Sequence, residues 1–124
     1  MKSILHFLPF VLAASLVFIV NPTFGGFAIW NLLPIGLGAV ALGVAMRKRG
    51  PSSSALEYFA YATTCISFLA HLAWVLDWNA TATGSSTSAL IFIFLPIWAL
   101  AIGAAVGALR WAIARTVGKA AARN

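Results

Sequence analysis

The chain has 124 residues, of which 62% are apolar and 8% charged, with a net charge of +6 and a single cysteine. A water-soluble fold cannot hide that much apolar surface, since even a domain of about 150 residues leaves roughly 30% of its unfolded surface exposed. The basic residues sit at the edges of the apolar runs without a groove or motif, which excludes nucleic acid as a partner, and one cysteine excludes an intrachain disulfide framework.

Four apolar runs, 4–20, 27–46, 57–76 and 89–109, each suit a helix crossing a hydrocarbon layer of about 30 Å, which takes about 17–25 residues. The expected fold is all-α: an integral membrane four-helix bundle forming one transmembrane domain over 1–124, with a basic helical tail at 110–124. In the first run Lys2 precedes apolar sequence, as in a secretory signal. The run exceeds the usual apolar core of about 7–15 residues and three spans follow, so it reads as a retained helix. Pro9 lies near its start, where a missing N–H costs little. The uncharged connection at 21–26, with Pro22, Gly25 and Gly26, predicts a tight hairpin.

The second run offers Gly36, Ala39 and Gly43 as a small-residue packing surface, and Pro34 should bend it. After it come Arg47, Lys48 and Arg49, then Gly50-Pro51 and three serines. Ser54 with Glu57 three residues on predicts a capping box, with Glu57 also pairing to the adjacent cations.

Most of the chemistry lies on the third run. Glu57, Tyr61, Thr64 and His71 fall along one helical face, with Ser67 beside them and Trp78 at the outer end. Such a stripe should point inward, because polar side chains facing lipid are costly. It reads either as an interhelical seam satisfied by Asn31 and by carbonyls freed at Pro34 and Pro96, or as a polar path centred on His71, with Ser67 sharing a hydrogen bond with it. Cys65 reads as a small packing residue. Asp77 reads as a hydrated boundary residue, and Asn79-Ala80-Thr81 as a chance match to the glycosylation triplet.

In the fourth run Ala99, Gly103 and Gly107 recur every four residues, a strip that could meet either a neighbouring span or a second copy. Pro96 should bend this helix as Pro34 bends the second. An offset of 62 aligns the two runs (Leu33 with Leu95, Pro34 with Pro96, Ile35 with Ile97), a weak sign of duplication that the first and third runs do not share. Trp111 suits the membrane interface, and Arg115, Lys119 and Arg123 share one face of the tail. With Arg47, Lys48 and Arg49 they are the expected contacts to anionic lipid headgroups.

Four crossings put every Lys and Arg on one side, which the positive-inside rule makes cytoplasmic, so both termini are expected inside a bacterial inner membrane. Glu57 and His71 are separated by roughly 21 Å of helix, and His6 and His71 by roughly 17 Å along the membrane normal. Neither pair can share a proton or a haem iron, no cluster has metal-ligand spacing, and no cofactor is expected. Neither carboxylate lies at mid-membrane, where a proton-coupled carrier keeps its coupling site. The expectation is a non-enzymatic structural or accessory subunit, alone as a homo-oligomer or within a larger membrane complex. The alternative is a small channel or carrier along Tyr61, Thr64, Ser67 and His71.

Overall fold

The computed structural model describes the backbone of residues 2–85 and 87–121 and the side-chain surroundings of residues 4–85 and 87–118. It is helical, with no strand among the described residues. The helices are α1 (Lys2–Leu5), α2 (Leu8–Val20), α3 (Gly26–Arg47), α4 (Pro51–Val75) and α5 (Ile91–Ala121), with short 3-10 turns at Trp78–Ala80 and Ser88–Leu90. By length and composition α3, α4 and the stretch Ser88–Gly118 can each cross a membrane.

The first apolar run is broken. Its chain turns at His6 and Phe7 and restarts as α2, which has only 13 residues. Pro9 fits the break, because it has no N–H for the Leu5 carbonyl one turn earlier, so no helical bond joins α1 to α2 at that point. At about 1.5 Å per residue α2 is roughly 20 Å long.

The second connection is shorter than the sequence suggests. Lys48 is extended, Gly50 takes φ 101°, and α4 begins at Pro51. Positive φ suits glycine, and proline is favoured at a helix start where its missing donor is not needed. The expected capping box at Ser54 and Glu57 does not form, since both residues are already inside the helix. Ser53 instead donates to the Ala45 carbonyl at 2.7 Å and ties the start of α4 to the end of α3.

α4 is the central element: it packs on α2, α3 and α5, while α3 also packs on α2 and α5. Phe10, Ala13 and Val17 of α2, Ile35, Ala41 and Leu42 of α3, and Ala60 of α4 form one buried cluster. The fit along α4 depends on glycine. A Cβ at Gly103 would overlap Thr63 Oγ1, one at Gly107 would come within 2.9 Å of the Ala55 carbonyl, and one at Gly38 within 3.0 Å of Thr64 Oγ1. The strip on α5 thus faces α4 of the same chain. On α3 the residue in close contact is Gly38. Gly36 and Gly43 have nothing within 4 Å of an added Cβ, and Ala39 packs at the margin of the cluster.

The distribution of side chains is inverted relative to a water-soluble protein. Buried positions carry many Ala, Gly, Ser and Thr, whereas Leu12, Ile29, Leu37, Val40, Phe94, Ile97, Trp98 and Leu109 are exposed. A contiguous apolar exterior over a small-residue interior suits hydrocarbon, where helices associate by close approach and not by hiding leucine. The chain is an all-helical protein of multi-pass membrane type.

Candidate functional site

The polar stripe of α4 lies inside the helix packing. Ser67 and His71 are 0% exposed and Thr64 1%, while Glu57 and Tyr61 are half-buried toward the other end. The stripe is not a hydrogen-bonded seam between helices. Ser67 Oγ donates to the Thr63 carbonyl at 3.1 Å, and His71 Nδ1 lies 2.7 Å from the Ser67 carbonyl. His71 therefore meets the backbone of Ser67 and not its hydroxyl. Asn31 likewise turns back on its own helix, its Nδ2 donating to the Phe27 carbonyl at 3.0 Å. Helical hydroxyls and amides reach these carbonyls one turn back because Cβ points toward the helix N-terminus.

Aromatic rings close the stripe at the end toward Asp77. The Phe92 ring lies 4.8 Å from His71 and 5.0 Å from Trp74, centroid to centroid. The carbonyls near the prolines do not serve the stripe. Pro96 withholds a donor from the carbonyl of Phe92, and the next carbonyl, that of Ile93, accepts the Trp30 indole N–H at 2.9 Å. This bond joins α3 to α5 close to both prolines.

At the opposite end His6 Nδ1 and Tyr61 Oη are hydrogen-bonded at 3.1 Å, with Phe10 against the Tyr61 ring. His6 and Glu57 also line one small cavity of about 170 Å³ with Leu42, Ala45 and Met46. Sequence reasoning set His6 aside, although its depth matches that of Tyr61, one turn beyond Glu57. Among the described residues no ion pair joins Glu57 to a cation, and no three His, Cys, Asp or Glu side chains cluster for a metal. Cys65 is exposed, not packed inside, and lines an apolar groove of about 290 Å³ between α2 and α4 with Leu8, Leu12 and Phe68.

The basic residues gather near the Glu57 end. Arg47, Lys48, Arg49 and Arg115 are exposed, Arg115 stacks 4.3 Å over Trp111, and Arg110 lies 5.4 Å from the Tyr58 ring. The side chain of Lys119 and all of Arg123 lie outside the described residues. At the far end Asp77 takes positive φ and folds the loop around its carboxylate, accepting from Thr83 Oγ1 at 2.6 Å and from the amides of Ala82 and Thr83 at 2.8 and 3.1 Å. These donors, the Thr83 hydroxyl foremost and then the Ala82 amide, hold its carboxyl below the usual aspartate range. Asp77 organises the loop and is more than a hydrated boundary charge.

No protein-family model, curated protein or solved structure matches the chain.

Proposed function

We propose that the chain is a four-span protein of a bacterial inner membrane with both ends cytoplasmic, acting as a non-enzymatic structural or accessory subunit. The observation that carries this reading is the close packing on the inward face of α4: Ser67 and His71 Nδ1 bond along their own helix, and Gly38, Gly103 and Phe92 pack against Thr64, Thr63 and His71. A route for solute would need a continuous polar space along the stripe, whereas the polar cavity lined by His6 and Glu57 holds only about 170 Å³ and lies at one end of it. In this arrangement α2 crosses with help from flanking Ile4, Leu5 and Phe24, and thinning of the bilayer absorbs the remaining mismatch. The end carrying Arg47, Lys48, Arg49, Trp111 and Arg115 faces the cytoplasm and anionic headgroups, with Lys119 and Arg123 continuing that surface. The exposed face of α5, with Phe94, Ile97 and Trp98, meets lipid, a second copy or a larger membrane complex. No cofactor and no nucleic acid enter this reading.

The second reading, a small channel or carrier along Tyr61, Thr64, Ser67 and His71, draws support from Thr64 Oγ1 and His71 Nε2, which are buried without partners. Native mass measurement and vesicle flux together separate the two. The accessory reading expects discrete masses of added subunits or retained anionic lipid, and no flux above protein-free vesicles. A bare monomer whose vesicles carry a flux that His71→Leu abolishes overturns it.

A further inference from the structure

Among the buried polar atoms without a partner are Asn31 Oδ1, Thr63 Oγ1, Thr64 Oγ1 and His71 Nε2. The threonine oxygens press on glycines of the neighbouring helices, Thr63 on Gly103 and Thr64 on Gly38. Cα–H to oxygen contacts of this kind recur where helices pack closely. A fifth such atom, Arg110 Nε, is a donor at the other end of the helices beside the Tyr58 ring, which leaves Asn31 and His71 in the interior.

Both remaining atoms are acceptors. The Ser67 carbonyl can only accept, so His71 Nδ1 carries the ring hydrogen and Nε2 of the neutral ring offers a lone pair. The Asn31 amide nitrogen donates to Phe27, which leaves its oxygen as the free end. Neither acceptor can satisfy the other. They belong to facing helices, since α3 and α4 run antiparallel with Gly38 against Ala60 and Thr64. Seven residues from that contact toward the same end, Asn31 and His71 come level, roughly 10 Å along the bundle. Seven residues are nearly two full turns, so each stays on the face its helix presents at the contact. Asn31 is 1% exposed and His71 0%, and Phe92 covers the histidine ring. Two unmet acceptors in a dry interior are costly, and one small donor between them removes both costs.

We propose that Asn31 Oδ1 and His71 Nε2 form a two-acceptor site for a single small hydrogen-bond donor, a molecule of water's size with at least two O–H or N–H hydrogens. Water and ammonium share that chemistry. Both side chains are fully buried, so the donor is a small one, and its binding pins α3 to α4 at this level.

Nitrogen-15 NMR of the full chain in lipid bilayers, with labelled histidine assigned through a His6→Gln variant, tests the site. The expected His71 ring is neutral, with its hydrogen on Nδ1 and a hydrogen-bonded Nε2 that receives magnetisation from the protons of the bound donor. If the donor is water, the transfer persists in ammonium-free buffer. If it is ammonium, the transfer vanishes there and returns when ammonium chloride is added. Asn31→Leu should cut it at least threefold and leave the Nδ1 bond to Ser67 in place. A hydrogen on Nε2, or an unbonded Nε2 without transfer in either buffer, overturns the proposal, as does an undiminished transfer in Asn31→Leu. The wild-type spectrum decides even where the variant does not fold.

Discussion

Glycine at 103 is fixed by the threonine opposite it, and glycine at 36 by nothing in contact with it. Gly103→Ala forces α4 and α5 apart and should cost about 1–3 kcal/mol, the usual range for overpacking. Gly36→Ala should be neutral or stabilise by up to about 1 kcal/mol through helix propensity. Midpoints of denaturing-detergent titrations compare the two directly. Asp77 supplies a pH test outside the apolar helices. Its folded pKa is depressed, so its contribution to loop stability is complete above the unfolded value of about 3.9 and is lost as pH falls through the lower folded value. Amide exchange at Ala82 and Thr83 should therefore accelerate under acid below that value, and Asp77→Asn should exchange fast at every pH. At this scale the sequence was half legible. Helical spacing located the inward face of α4, but whether His71 or Ser67 bonds across or along its helix depends on rotamers that spacing does not encode. On α3, apolar residues surround every glycine, so the pattern offered no way to prefer Gly38 over Gly36 or Gly43.

Elements were clearer than contacts, because length and hydropathy alone mark α3, α4 and α5 as membrane-crossing candidates. Their ends depended on proline chemistry. Pro9 divides the first run and Pro51 starts α4, where the serines had suggested a cap further along. Proline also frees carbonyls, that of Phe92 in α5, and beside it the Trp30 indole N–H reaches the Ile93 carbonyl. Trp30→Phe keeps the ring and removes the N–H that reaches Ile93, so α3 and α5 should loosen by about 0.5–1.5 kcal/mol. Thermal unfolding in detergent reads this. An unchanged midpoint would show that the indole bond adds nothing beyond packing. The alignment of α3 with α5 at an offset of 62 fits two parallel helices that carry their prolines at corresponding places, both packed on α4.

For the molecule as a whole, charge asymmetry and inverted packing agree. The described cations gather near the Glu57 end of the helices, the Asp77 loop lies at the other, and the sides are leucine, isoleucine, phenylalanine and tryptophan. The number of crossings turns on α2, the one packed helix shorter than a bilayer core. Cysteine labelling in intact cells and in opened cells measures it, using single-cysteine variants in a Cys65→Ser background. Ser3→Cys, Ser52→Cys and Thr116→Cys should react only when the cytoplasmic face is opened, and Thr23→Cys and Thr83→Cys should react from outside. Labelling of residue 3 from the face opposite residue 52 would contradict the account, because α2 would then not cross and the chain would span the membrane three times.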